Sequence, residues 1–216
     1  MARIVNYETP VKLLPAVEKF FKDIAPLQQE PWRAKFANIS ESLKDPAFAK
    51  ELTGSREYAF MLRNTISLTM LSGSKQTNVI PNAASCNLDV RLLPGEDPQA
   101  FLTELKNVIA DPSIRIEKIN TFKPPNGSPI DTELFRTITR VSKAHHPEAL
   151  VTTKMLSGYT ESQLYRQLGI TCYGWAPAYT TVEENEGVHG NNERISVKNV
   201  RDGTREMFEV VSQIAR

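Results

Sequence analysis

The chain has 216 residues, 40% hydrophobic and 24% charged, with a net charge of +1. This is the composition of a folded globular chain of one large or two small domains, and it excludes wholesale disorder. No run of one charge sign marks a nucleic-acid surface, no stretch reaches the ~20 apolar residues of a membrane span, and the first seven residues lack an apolar signal-peptide core. Two cysteines, Cys86 and Cys172, cannot staple a fold of this size. Three histidines, His145, His146 and His189, leave a metalloenzyme short of ligands.

The first element is a helix from Pro10 to Ile24. Val11, Leu14, Val17, Phe20, Phe21 and Ile24 share one face, Thr9 is its N-cap, and Pro26 ends it. Residues 27–60 read as short helices and loops broken at Pro31, Pro46 and Gly54, packed down by Trp32, Phe36, Phe48, Tyr58 and Phe60. Residues 64–71 alternate, with Ile66, Leu68 and Met70 on one face. A turn at 72–75 leads through Asn78-Val79-Ile80-Pro81 to a second strand, whose apolar face is Cys86, Leu88, Val90 and Leu92. Asp97 and Pro98 open a helix with a stripe of Phe101, Leu105, Val108 and Ile109. Residues 113–117 form a third strand. A strand ahead of the first helix would complete a β-α-β-β-α-β, ferredoxin-like sandwich.

Residues 121–129, rich in proline, read as a linker. Beyond them the pattern is helix (131–144), strand (149–156), helix (161–168), strand (170–175) and helix (195–215), the alternation of an α/β layer. In the last helix Val197, Val200, Met207, Val210, Val211 and Ile214 are the apolar positions. The fold class is therefore α/β in the broad sense: an α+β unit at 1–119 followed by a partial α/β unit at 120–216.

Three segments carry candidate chemistry. His189, in the glycine-flanked loop Gly187–Ile195, is either a metal ligand or a surface-loop histidine beside a helix. The turn Ser157-Gly158-Tyr159-Thr160-Glu161-Ser162 is either an anion-binding helix start or a capped one, with Thr160 as cap. Asn78 is either a donor to a carboxylate or carbonyl, or a loop residue fixing a turn. His145-His146, adjacent on a helix, diverge by about 100° and make a poor chelate, so they read as a solvated helix end. Trp32 and Trp175 read as packing residues.

Taken in order, Asn78-Val79-Ile80-Pro81, Leu88-Asp89-Val90-Arg91-Leu92-Leu93-Pro94-Gly95, Ser157–Ser162, Gly169-Ile170 with Tyr173-Gly174 and Pro177, and His189-Gly190-Asn191-Asn192-Glu193 resemble the zinc-dependent aminoacylase and carboxypeptidase family. The resemblance spans residues 10–216 and is nearest the carboxypeptidase S-like branch. It implies a lid or dimerisation domain at 1–119, forming a homodimer, and the C-terminal part of a dizinc catalytic domain at 120–216. It implies His189 as a zinc ligand, Asn78, Ser157, Gly158 and Thr160 as substrate contacts, and a peptide or N-acyl amino acid with a free carboxylate as substrate. Where relatives often have Gly-Gly-Thr-Asp, this chain has Tyr159 and Glu161. Where some carry a clamping arginine before that turn, it has Lys154 and Met155.

The family's His-x-Asp motif, its Glu-Glu pair and the first lid strand have no counterpart here, since no histidine precedes His145. The expectation is a C-terminal fragment of a hydrolase, holding none of the catalytic residues and inactive and essentially metal-free by itself. The rival readings are a non-catalytic dimerisation or interaction module and an unrelated binding protein. No nucleic-acid or membrane partner is expected, and the compartment is left open.

Overall fold

In a computed structural model, residues 2–120 and 126–215 are described. The chain divides into two compact units, one of residues 1–127 with 153–159, the other of residues 128–152 with 160–216. Most of the expected linker, residues 121–125, lies outside the described residues. Among the described residues no helix is long and apolar enough to cross a membrane.

The first unit opens with α1 (Ala2–Val5) and α2 (Pro15–Ile24), followed by a 3-10 turn at Ala25–Leu27. Helix α2 begins five residues later than the sequence suggests. Pro15, not Pro10, occupies the first turn, and Thr9 is no cap: its hydroxyl donates to the Asn64 carbonyl at 2.6 Å. Four short helices follow, α3 (Trp32–Ala37), α4 (Ile39–Ser42), α5 (Pro46–Gly54) and α6 (Ala59–Leu62). With α2 they form a helical cap around Val17, Phe20, Phe21, Phe36, Ile39, Phe48, Leu52, Met61 and Leu62, all buried. Helices of one or two turns are not stable alone. Here Phe21 and Phe36 meet edge-on at 4.9 Å, Trp32 and Phe36 at 5.5 Å, and Phe36 and Tyr58 at 5.7 Å. Each such pair adds about 0.5–1.5 kcal/mol beyond the area it buries.

Strands β1 (Thr65–Ser72) and β2 (Ser85–Arg91) pair antiparallel. Ile66 faces Val90 and Leu68 faces Leu88, as the alternation implies, but a bulge between Leu68 and Met70 then shifts the register. Leu71 pairs with Cys86 and so replaces Met70 on the apolar face, while Met70 sits opposite Asn87. Cys86 is half-buried on this ribbon and not a core residue. Helix α7 (Pro98–Ile109) starts as expected, with Asp97 accepting from the Gln99 amide at 2.9 Å, and buries Phe101 and Leu105. It ends at Ala110 in the left-handed conformation, φ 48°. The Arg3 guanidinium donates to the Ile109 and Ala110 carbonyls, placing a cation on the negative end of the helix dipole. The Tyr7 hydroxyl donates to Glu104, which pushes its pKa up to about 12.

A buried polar hub joins these parts. The Asn64 side chain accepts from the Leu93 amide at 2.8 Å and donates to Glu96 at 3.1 Å. Glu96 is also paired with Lys12 at 2.6 Å, and the Lys12 amide donates to the Leu62 carbonyl at 2.7 Å. Residues 113–117 form no strand, although Ile114 and Ile116 alternate with polar neighbours. The sheet has two strands in the order β1-β2, and alternation without a ladder partner leaves an extended segment. Neither a third lid strand nor a complete ferredoxin-like sheet is therefore formed among the described residues.

The second unit contains α8 (Glu133–His145), α9 (Ser162–Gln167), α10 (Val182–Glu186) and α11 (Val197–Ile214). The expected strands at 149–156 and 170–175 are absent among the described residues, so this unit is helical and not an α/β layer. A parallel strand needs neighbours to take up its hydrogen bonds, and no sheet forms around these segments. Thr132 caps α8, accepting from Phe135 at 3.1 Å. Thr181 and Glu184 form a reciprocal capping box on α10, an element the periodicity does not reveal because it is one turn long.

Helices α8 and α11 pack around Ile138, Val141 and Val210, with Tyr173 and Trp175 against them. The buried stripe of α11 is Asn199, Gly203, Glu206 and Val210. This corrects the apolar expectation: Val197, Val200, Met207, Val211 and Ile214 are exposed. Buried polar groups are tolerated when bonded. Asn199 receives the Tyr179 amide at 3.0 Å and donates to its carbonyl at 2.7 Å. Gly203 lets the 177–179 segment approach, since a Cβ there would stand 2.2 Å from the Pro177 carbonyl oxygen.

Replacing Asn64 by Ala leaves the buried Leu93 amide unpaired, and urea unfolding is expected to show a loss of about 1–3 kcal/mol. Lys12 and Asn64, by hydrogen bonding, hold the Glu96 carboxyl below its ordinary value of 4.5. Its contribution is therefore full at neutral pH and lost as pH falls below that value. Acid unfolding should thus weaken wild type more than Asn64→Ala. Gly203→Ala should lower the melting temperature sharply, because the methyl would stand 2.2 Å from the Pro177 carbonyl oxygen and backbone must shift to admit it.

Candidate functional site

The sequence-expected residues divide between the two units. Asn78, Ser157 and Gly158 belong to the first and Thr160 and His189 to the second. Asn78 is exposed in the loop joining β1 to β2. That loop is shaped by Ser74, whose hydroxyl donates to the Gln76 carbonyl at 2.8 Å, and by the Val79 amide on the same carbonyl at 3.4 Å.

The segment before the turn is fastened to the helical cap. The Thr153 hydroxyl donates to the Ala16 carbonyl at 2.7 Å, Lys154 stands 3.5 Å from Glu57, and Met155 packs against the aromatic cluster. Ser157 and Gly158 are then exposed, and a Cβ at Gly158 would meet nothing. The Ser157 carbonyl accepts from the Arg91 guanidinium, which Asp89 steadies at 3.0 Å. Arg91 was not singled out from the sequence, where it is one polar residue of an alternating strand. Only the folded chain brings its positive charge to the turn. Thr160 caps no helix with its side chain; it supplies its carbonyl to the Gln163 amide at 3.3 Å, and the N-cap of α9 is Glu161.

His189 follows α10 in a tight turn, where the Gly190 amide donates to the Gly187 carbonyl at 2.9 Å. Its own amide donates to Glu193 at 3.1 Å, and its imidazole is exposed. The backbone is left-handed, φ 63°. Glycine takes that conformation more readily than histidine does. The other two histidines are half-buried and each is paired with a glutamate, where a freely solvated helix end was expected. His146 lies beyond the last turn of α8, with non-helical backbone, so its ring does not diverge from that of His145 as two helical neighbours would. The rings stand 6.2 Å apart and tilted by 34°. His145 pairs with Glu209 at 3.0 Å and His146 with buried Glu206 at 2.8 Å. Tyr179 stacks on His146 at 3.9 Å, and burial, with the Glu206 charge second, raises its pKa.

A zinc site takes roughly three or four protein ligands. Among the described residues no three of His, Cys, Asp or Glu stand together to hold a metal ion. His189 by itself supplies too few ligands for the dizinc centre that the resemblance implies. A depression of about 330 Å³ on the helical cap is lined by Lys22, Ala25, Pro26, Arg33 and Ala37, none of them an expected site residue.

The first unit is thus mixed α+β, with one ribbon whose Arg91 reaches the Ser157 turn, and the second is helical and carries an exposed loop histidine. Residues 8–117 match the peptidase dimerisation domain of the M20 family. The chain belongs to that family, the aminoacylases and carboxypeptidases. It is 29% identical over 154 residues to the human N-fatty-acyl-amino acid synthase/hydrolase PM20D1, covering 70% of this chain and 31% of the relative. It is 24% identical over 172 residues to the probable carboxypeptidase S-like 2 of Dictyostelium discoideum, covering 79% of this chain and 33% of the relative. The chain thus spans about a third of the length of the curated relatives it matches. No solved structure gives a significant match.

Replacing His189 by Gly should leave stability unchanged or raise it by up to about 1 kcal/mol, since a left-handed residue loses its steric penalty. Val at the same position should lower it. Thermal melts of the two variants distinguish a residue retained for its side chain from one that shapes the turn.

Proposed function

We propose that these 216 residues are the C-terminal part of a zinc-dependent hydrolase that cleaves the amide bond of a peptide or N-acyl amino acid carrying a free carboxylate. The observation that supports it most is the match of residues 8–117 to the peptidase dimerisation domain, in a chain whose relatives are N-fatty-acyl-amino acid hydrolases and carboxypeptidase S-like proteins. In this reading residues 1–119 are the lid and 120–216 the end of the catalytic domain. Asn78 donates to the substrate carboxylate or carbonyl, Ser157, Gly158 and Thr160 line the pocket, and His189 is one zinc ligand. Arg91 adds a guanidinium at the turn, a group that matches a carboxylate in charge and geometry.

The lid also supports a second role, in which the chain acts as a homodimerisation module through residues 1–119. A two-stranded ribbon is marginal alone. Met70 and Leu71 are more than 60% exposed on it, an apolar surface suited to a second copy.

Purified chain incubated with zinc and N-acyl amino acids is expected to show no hydrolysis and less than one bound zinc. Stoichiometric zinc with turnover would overturn the division of the site. Light scattering is expected to give a dimer, and a monomer at high concentration would exclude the lid as a self-association surface.

A further inference from the structure

The loop that carries His189 leaves the second unit and returns to it at one residue. Residues 180–195 run from Tyr179, through α10 and the His189 turn, to Ser196 at the start of α11. No described side chain among them is buried. Several of their ties are local. Thr181 and Glu184 form the capping box, and the Thr180 hydroxyl donates to Asn185 at 2.8 Å. Arg194 pairs with Glu183 at 2.8 Å, and Glu193 takes the His189 amide at 3.1 Å. The two ends meet at Asn199. Its side chain accepts from the Tyr179 amide at 3.0 Å and donates to the Tyr179 carbonyl at 2.7 Å. Its own amide donates to the Ser196 hydroxyl oxygen at 3.1 Å. Asn199 is 8% exposed, so water competes poorly for these bonds. The rest of the buried stripe of α11 serves the same place. Gly203 admits the Pro177 carbonyl, and Glu206 holds His146, whose ring stacks on Tyr179 at 3.9 Å.

We infer that Asn199 is a positioning residue: it closes the neck of the 180–195 loop and so fixes the base from which His189 is presented. The inference rests on the proposed role of His189, and it gives the polar stripe of α11 a purpose that apolar side chains could not serve. A side-chain amide offers a donor and an acceptor side by side, as the backbone of a paired strand does. Asn199 thus partners Tyr179 as a neighbouring strand would, without a strand. Compact surface loops take their shape from their own side chains once their ends are held close. With the neck open, the loop keeps its internal ties and moves about its base.

Backbone nitrogen relaxation and amide exchange on the whole chain, without metal or substrate, test the neck. In the wild type, order parameters at residues 188–190 should lie near about 0.85. In Asn199→Ala they should fall below about 0.6, and the Tyr179 amide should exchange about tenfold faster, while α8 keeps its protection. Asn199→Asp keeps the acceptor for the Tyr179 amide and lacks the donor, so it should restore Tyr179 protection and part of the order. Thr181→Val uncaps α10 inside the loop and should leave the Tyr179 amide protected. A wild-type loop already below about 0.6, unchanged order at 188–190 in Asn199→Ala, or protection lost across α8 as well would overturn the inference. His189→Ala should leave the Tyr179 amide as protected as in the wild type. A failure of the zinc reading of His189 therefore leaves the neck standing, and a failure of the neck shows without any metal.

Discussion

Asn64 is the residue on which the first unit turns. It is buried, it immediately precedes β1, and its amide reaches both the Leu93 backbone and Glu96. Its carbonyl takes the Thr9 hydroxyl, and Glu96 takes Lys12. One residue, through its side chain and its backbone carbonyl, thus ties the entry to the helical cap, the start of the ribbon and the approach to α7. Each bond adds only about 1 kcal/mol. Leaving any of them unmade inside the fold costs more, and that asymmetry fixes the geometry. It also explains why α2 starts late: Thr9 and Lys12 are held against residues 62–64, and the helix begins where they release the chain.

The second unit solves a related problem with a polar stripe. Asn199, Gly203 and Glu206 are poor core residues by composition, yet they are the buried face of α11. Asn199 acts as a backbone partner for residue 179, Gly203 removes a side chain where Pro177 comes in, and Glu206 meets His146. Apart from Val210, the apolar positions expected on that helix's buried face are left exposed, and its 3.6-residue periodicity says nothing about which face meets α8. The pairing of two histidines with two glutamates at the end of α8 gives those histidines a structural occupation, and leaves His189 as the histidine with an exposed, unassigned ring.

The candidate site shows how function divides between local and distant sequence. The loop carrying Asn78, the turn at Ser157–Gly158 and the glycine-flanked His189 are visible as short polar motifs, because turns and helix starts demand particular residue types within a few positions. Arg91 and Met155 are invisible in that sense. Arg91 alternates like any strand residue, and Met155 sits in a segment whose pattern suggests a strand; both gain meaning only from what lies 60 to 140 residues away in sequence, as the Arg91–Ser157 and Thr153–Ala16 bonds illustrate.

The sequence by itself determined the family, the aromatic core of the helical cap, the two strands of the ribbon with most of their apolar face, and the capped start of α7. Each follows from periodicity or from a few neighbouring residues, and the order of motifs carries the family likeness. Only the tertiary structure decided that Leu71 and not Met70 joins the apolar face, that residues 113–117, 149–156 and 170–175 stay out of a sheet, and that α11 buries its polar stripe. The physical reason is shared. A bulge, a ladder partner and a packing face are relations between distant segments, and a chain's local alternation states what a residue prefers without naming the partner that lets it have it.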